Sequence, residues 1–142
     1  EHNVGRVGID NPSEPYIGIH NHGSDETFSI SDIEGFIRRN NMRMLTVVGS
    51  KGSIYILKKS DKCDIIGFFD HLSSEKEIPI FKGNTYNEIL KSKTFISDLN
   101  PEETVALKNI IKQFSLNILK EVENYGVKYL QFPITTWKDW NI

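Results

Sequence analysis

Two histidines one residue apart, His20-Asn21-His22, and an aspartate a short way downstream, Asp32, are the side chains in this sequence best suited to chemistry. On a strand, a period of two puts His20 and His22 on the same face. Asp32 falls in the first turn of a helix that Ser29 is placed to cap, and a helix packed against the strand brings its carboxylate to the same point. Two neutral imidazoles and one carboxylate leave a fourth position for water, which is how a catalytic zinc is held. Calcium or magnesium asks for more oxygen ligands, so zinc is the expected metal. An H-x-H pair alone arises by chance, and Ser29-Ile30-Ser31-Asp32 alone is an ordinary capping start. The order of strand, loop and helix is what gives the three residues weight together.

The elements that must position them follow from patterning. Asn3 to Ile9 reads as a strand, with Val4, Val7 and Ile9 among glycines, and Asn11-Pro12-Ser13-Glu14-Pro15 reads as a turn. Tyr16-Ile17-Gly18-Ile19 is a short apolar strand that runs into the histidines, and Gly23 to Phe28 is a polar loop. Ile30, Ile33, Phe36 and Ile37 recur at helical spacing, and Asn40-Asn41 suit a left-handed cap at the helix end. Met44 to Val48 and Ser53 to Leu57, joined by Gly49-Ser50-Lys51-Gly52, form a hairpin. The second half turns helical. A short helix is expected over Thr85 to Lys93 and a long one from Asn100 to Tyr125. Asn100 caps the long helix, Pro101 takes its first position, Glu103 completes a capping box and Gly126 stops it. Val127 to Phe132 is a last strand, ended by Pro133.

Composition narrows the function classes. With 38% hydrophobic and 25% charged residues in 142, the chain is a globular domain able to bury a core. A net charge of −2, with its 17 basic residues scattered, argues against nucleic acid as a partner. No apolar run approaches the about 20 residues of a membrane span, and no secretory signal is present. Cys63 is the one cysteine, which excludes an internal disulfide and reads as a partly buried thiol. His71 reads as a surface or half-buried histidine, His2 as a similarly minor residue that could bind only adventitious metal, and Trp137 and Trp140 as anchors for the tail. The chain opens on Glu1 rather than methionine and reads as a piece of a longer protein with domains upstream.

His20-Asn21-His22-Gly23, a short loop, and Ser29-Ile30-Ser31-Asp32 together resemble the motif of the JAB/MPN (JAMM) metallopeptidases, H-x-H-P followed by S-x-x-D. The resemblance covers roughly residues 16 to 58. It is also similar to the bacterial DNA-repair-associated branch and to JAB-like domains at the ends of phage minor head proteins and polymorphic toxins. Gly23 stands where the family has proline, and the loop to Ser29 is one residue shorter than its commonest form. The family's general base is a glutamate on an earlier strand. The resemblance leaves Glu1, Glu14 or a residue outside this chain for that role, with Glu26 as an outsider.

The resemblance implies a zinc peptidase or isopeptidase in which His20, His22 and Asp32 bind the metal. Glu1, if it is the base, relays the water proton, and Ser29 steadies the oxyanion. Its partner is a protein or peptide substrate, with neither nucleic acid nor membrane, in the cytoplasm of a bacterium or associated with a phage. The alternative is a non-catalytic JAB-like structural or interaction module. A metal-dependent nuclease fits poorly with the acidic chain. The expected fold is α+β: a small mixed sheet with the motif helix on one face, a metal-binding core over 1–60, and a helical extension over 61–142 packing on the same domain.

Overall fold

Tyr16–Asn21 (β1) alternates between half-buried and exposed positions, as a strand with one covered face must. Tyr16, Gly18 and His20 point inward, and Ile17 and Ile19 point to solvent. In the computed structural model, which describes residues 13–133, β1 runs parallel to Met42–Val48 (β2). A parallel pair needs a crossover, and Ile30–Arg38 (α1) supplies it. β2 then turns through Gly49–Gly52 into antiparallel Ile54–Lys59 (β3), the expected hairpin. Val127–Phe132 (β6), from the far end of the chain, pairs antiparallel with β3 and completes a mixed sheet in the order β1-β2-β3-β6.

The register puts Gly18, Leu45, Leu57 and Tyr129 in one cross-strand row and His20, Val47, Tyr55 and Gln131 in the next, on a single face. Lys59 belongs to that face as well. Its ammonium lies over the Phe36 ring and donates to the Arg39 carbonyl, which sets α1 there. Ile30, Ile33, Phe36 and Ile37 on α1, with Val47 and Leu57 on the sheet, are at most 1% exposed. Each such side chain contributes about 1.5–3 kcal/mol over leaving it in water. This packing fixes the end of β1 relative to the start of α1.

The chain forms two compact units. The first takes the described residues up to Ile65 and those from Glu121 onward, and the second is Ile66–Lys120. The second is mostly helical. It holds most of Ile65–Lys76 (α2), a ribbon of Pro79–Phe81 (β4) and Asn84–Thr85 (β5), Tyr86–Lys91 (α3), Lys93–Ser97 (α4) and nearly all of Pro101–Glu121 (α5). Tyr86 stacks on Phe114, and Lys82 pairs with Glu103. The α+β class is therefore as expected: among the described residues, five helices and a four-stranded mixed sheet.

Local expectations fare unevenly. The Asn100–Glu103 capping box is present in both directions, at 3.0 and 2.8 Å. The helix it starts ends at Glu121, and Val122–Tyr125 tightens into a 3-10 turn before Gly126 at φ 80°. The left-handed cap expected at Asn40-Asn41 does not form. Arg39 is the cap, extended at φ −86°, because β2 begins at Met42 and pulls the chain straight out of the helix. The helix expected over Thr85 to Lys93 is Tyr86–Lys91, with Thr85 as its cap. α2 falls within the helical extension expected over 61–142, although no separate helix was expected there. The strand expected over Asn3 to Ile9 lies outside the described residues, as do Glu1, His2, Trp137 and Trp140.

Candidate metal centre

His20 is the penultimate residue of β1, and His22, just past its end, extends the ladder by one more bond, its N–H donating to the Val48 carbonyl at 3.0 Å. Both rings therefore stay on the strand's inward side, stacked with centroids 5.0 Å apart. Asp32 is the third residue of α1. Ser29 caps that helix, its Oγ accepting from the Asp32 N–H at 3.1 Å, while Asp32 Oδ2 accepts from the Ser29 N–H at 3.0 Å. The capping box thus locks the carboxylate at the helix N-terminus, where the backbone dipole favours negative charge. The cluster sits where a parallel strand hands over to its crossover helix, a usual place for ligands in α/β units.

The three donors converge. His20 Nε2 and His22 Nε2 are 3.2 Å apart, His22 Nε2 is 3.1 Å from Asp32 Oδ2, and His20 Nε2 is 3.7 Å from Asp32 Oδ1. A tetrahedral zinc with ligands at about 2.0–2.1 Å spaces its donors about 3.3 Å apart. These separations are close to that spacing, with His22 meeting Asp32 Oδ2 and His20 meeting Oδ1, and one donor atom from each of the three residues lies within 4.8 Å of the other two. The side chains of His20, His22 and Asp32 are 35%, 20% and 19% exposed, which leaves an outer position open to water or substrate.

The orientation of His22 sharpens this. Its Nδ1 lies 2.9 Å from the Glu26 carbonyl oxygen. A carbonyl only accepts, so Nδ1 is the donor to it, while Nε2 faces the Asp32 carboxylate, which also only accepts; the charged ring satisfies both, and a metal that takes the place of the Nε2 proton keeps the Nδ1 bond. Metal-bound histidines are commonly held this way through their second nitrogen. Without a cation, one proton must be shared among groups that all want to accept. The titration directions reflect this. The bond to Asp32 raises His22, opposed by partial burial and aided by the Glu26 carbonyl. Burial lowers His20, and the charge on Asp32 opposes it. Burial pushes Asp32 up, but the bonds from His22 and the Ser29 N–H outweigh it, and the carboxyl ends below its ordinary value.

Of the residues expected at the site, the structure gathers His20, His22 and Asp32, with Ser29 beside them as the helix cap. Glu26 contributes its carbonyl oxygen to His22 rather than a side-chain ligand. Glu14 is exposed in the bend before β1, Glu1 lies outside the described residues, and His71 is half-buried on α2. Asp25, Tyr55 and Tyr129 were not expected. Tyr55 donates to the Asp25 carbonyl at 3.1 Å, and Tyr129 lies 2.9 Å from Thr27 Oγ1, so β3 and β6 both hold the loop between the histidines and α1. Compared with known protein families, with curated proteins and with solved structures, the chain matches none. Its chemistry must be argued from the donor set itself.

Proposed function

We propose that this chain is a zinc-dependent peptidase or isopeptidase of the JAMM type, acting on an extended protein or peptide substrate. The observation that carries the metal is the donor triangle, with His22 oriented from behind by the Glu26 carbonyl. His20, His22 and Asp32 would hold the ion. Zinc in such a site lowers the pKa of a bound water and polarises a carbonyl. The chain's own part is to fix three donors and to leave an outer position open. Ser29 uses an Oγ lone pair as the cap, which leaves its hydroxyl proton for a substrate oxygen. The proton-relaying carboxylate is assigned to Glu1 by resemblance, with Glu14 as the other candidate.

A second reading has an observation of its own. Among the described residues, the donor cluster contains Asp32 and no further carboxylate. A metal-holding interaction module without turnover needs no more than that. Elemental analysis of untagged protein, with a His20→Ala/His22→Ala variant alongside, tests the shared premise. About one zinc per chain, lost in the variant, supports the site. Peptide-bond cleavage that falls in Glu1→Gln or Glu14→Gln then supports the peptidase, and zinc without cleavage supports the module. Absence of metal after zinc is added would sink the peptidase and leave a JAB-like structural module that keeps only the shape of the corner.

A further inference from the structure

The loop that orients His22 is itself held from across the sheet. Asp25 Oδ1 accepts from the Lys51 N–H at 3.0 Å and the Ser53 N–H at 3.4 Å, and Oδ2 accepts from Ser53 Oγ at 2.6 Å. These donors line the tight turn between β2 and β3, so one carboxylate ties the metal loop to the hairpin. The main chain is tied too. The Asp25 carbonyl takes the Tyr55 hydroxyl, and the Ser24 carbonyl takes the Ser50 N–H at 3.2 Å. Glu26, whose carbonyl meets His22 Nδ1, is the very next residue. Ser53 is 3% exposed, so its hydroxyl has little access to water if Asp25 leaves. Gly49 makes the close approach possible, because a Cβ there would stand 2.2 Å from Asp25 Oδ1 and 2.9 Å from Asp25 Cα.

We propose that Asp25 is the positioning residue of this site: by pinning the loop to the β2–β3 turn it sets the Glu26 carbonyl, which fixes the proton on His22 Nδ1 and turns Nε2 toward the metal. The consequence for metal affinity rests on the zinc reading above, whereas the consequence for the His22 tautomer does not. Asp25 touches none of the three donors, so its effect must pass through Glu26. A merely structural tie would change stability and leave the ring as it is.

The test uses the metal-free full chain, labelled with nitrogen-15, above the imidazole titration range. Two-bond proton–nitrogen correlations then show which His22 nitrogen carries the proton. Wild type should show it on Nδ1, against the pull of the Asp32 carboxylate on Nε2, and a wild type protonated on Nε2 would overturn the proposal. Asp25→Ala should move His22 to a mixture of tautomers and lower zinc affinity about tenfold. Asp25→Asn should largely restore both, since its amide oxygen can still take the two turn N–H groups. Gly49→Ala provides a variant that keeps the carboxylate. It should mimic Asp25→Ala by pushing the loop away, and it decides the matter if Asp25→Ala does not fold. A wild type that binds no zinc would remove the metal reading, and the tautomer comparison would still judge Asp25. Folded Asp25→Ala and Gly49→Ala proteins with His22 still protonated on Nδ1 would overturn the proposal.

Discussion

Asp32 faces His22 Nε2 at 3.1 Å with the same oxygen, Oδ2, that accepts the Ser29 N–H at 3.0 Å. One atom therefore serves both the helix start and the donor triangle. A carboxylate at the third position of a helix is a common stabilising choice, and here that position also faces two imidazoles. The local rule that starts α1 thus places the ligand, and the fold needs no separate device to aim it.

Substitutions at Asp32 should separate these two duties. Asp32→Asn keeps an acceptor for the Ser29 N–H but removes the charge, so it should fold normally and bind zinc far more weakly. Asp32→Ala loses the cap as well and should cost about a further 1 kcal/mol of stability. Chemical denaturation and zinc titration of both variants measure the split. Equal zinc affinity in Asp32→Asn and wild type would remove Asp32 from the ligand set.

Zinc affinity should rise with pH. His22 holds its proton more tightly than an ordinary histidine because of its bond to Asp32, and a metal must displace that proton. Competition therefore extends above the usual imidazole range and fades only at higher pH. Calorimetry in buffers of different ionisation enthalpy should show protons released on zinc binding, with fewer released as pH rises. Affinity that is flat with pH would contradict a histidine-bound ion.

Much of this site is legible in the sequence, because its parts are local. Ser29 and Asp32 are three residues apart and meet through one turn of helix, and His20 and His22 share a strand face by period alone. The hairpin and the Asn100 cap are legible for the same reason. What is not legible comes from distant partners. Asp25 finds Ser53 only once the hairpin has folded beside it, and Tyr129 reaches Thr27 from 102 residues away. α2 escapes for another reason. Ile65, Phe68, Phe69 and Leu72 do recur at helical spacing, but Ile66 and Gly67 interrupt that stripe, Ile66 is exposed, and only Phe68 and Leu72 among its apolar residues are buried.

Gly126 should resist replacement for two separable reasons. Its φ of 80° is left-handed, which costs a residue with a side chain about 1–2 kcal/mol. A Cβ there would also lie 2.5 Å from the Lys62 carbonyl oxygen, which is backbone and cannot swing aside. Gly126→Asn relieves the first problem only. Both Gly126→Ala and Gly126→Asn should therefore lower the melting temperature, with asparagine recovering only part of the loss. Full recovery in Gly126→Asn would show that the close approach to Lys62 does not matter.

Lys59 should be a net cost to the fold at neutral pH. It is 4% exposed, and burial pushes its amine down to about 8. The folded state thus binds this proton more weakly than the unfolded chain does. Below pH 8 both states are protonated, and the fold carries the whole penalty of a buried ammonium. Between about 8 and the ordinary lysine value, the unfolded chain binds more protons, so this residue's contribution to stability grows as pH rises. The full shift corresponds to about 3 kcal/mol. Lys59→Met fills the same space and strands no partner, since the Arg39 carbonyl keeps the Met42 N–H at 3.0 Å. The variant should be more stable than wild type by about 2–3 kcal/mol at pH 7, and the gap should narrow as pH approaches 10. Comparing the two proteins at each pH removes the opposing titration of Tyr129, raised chiefly by burial; Cys63, also raised chiefly by burial, is lowered by the Lys59 charge, so its titration moves up in Lys59→Met and is followed separately at the thiol. A Lys59→Met protein less stable than wild type at pH 7 would mean that the ammonium's bond to Arg39 and its place over Phe36 outweigh the cost of burying it.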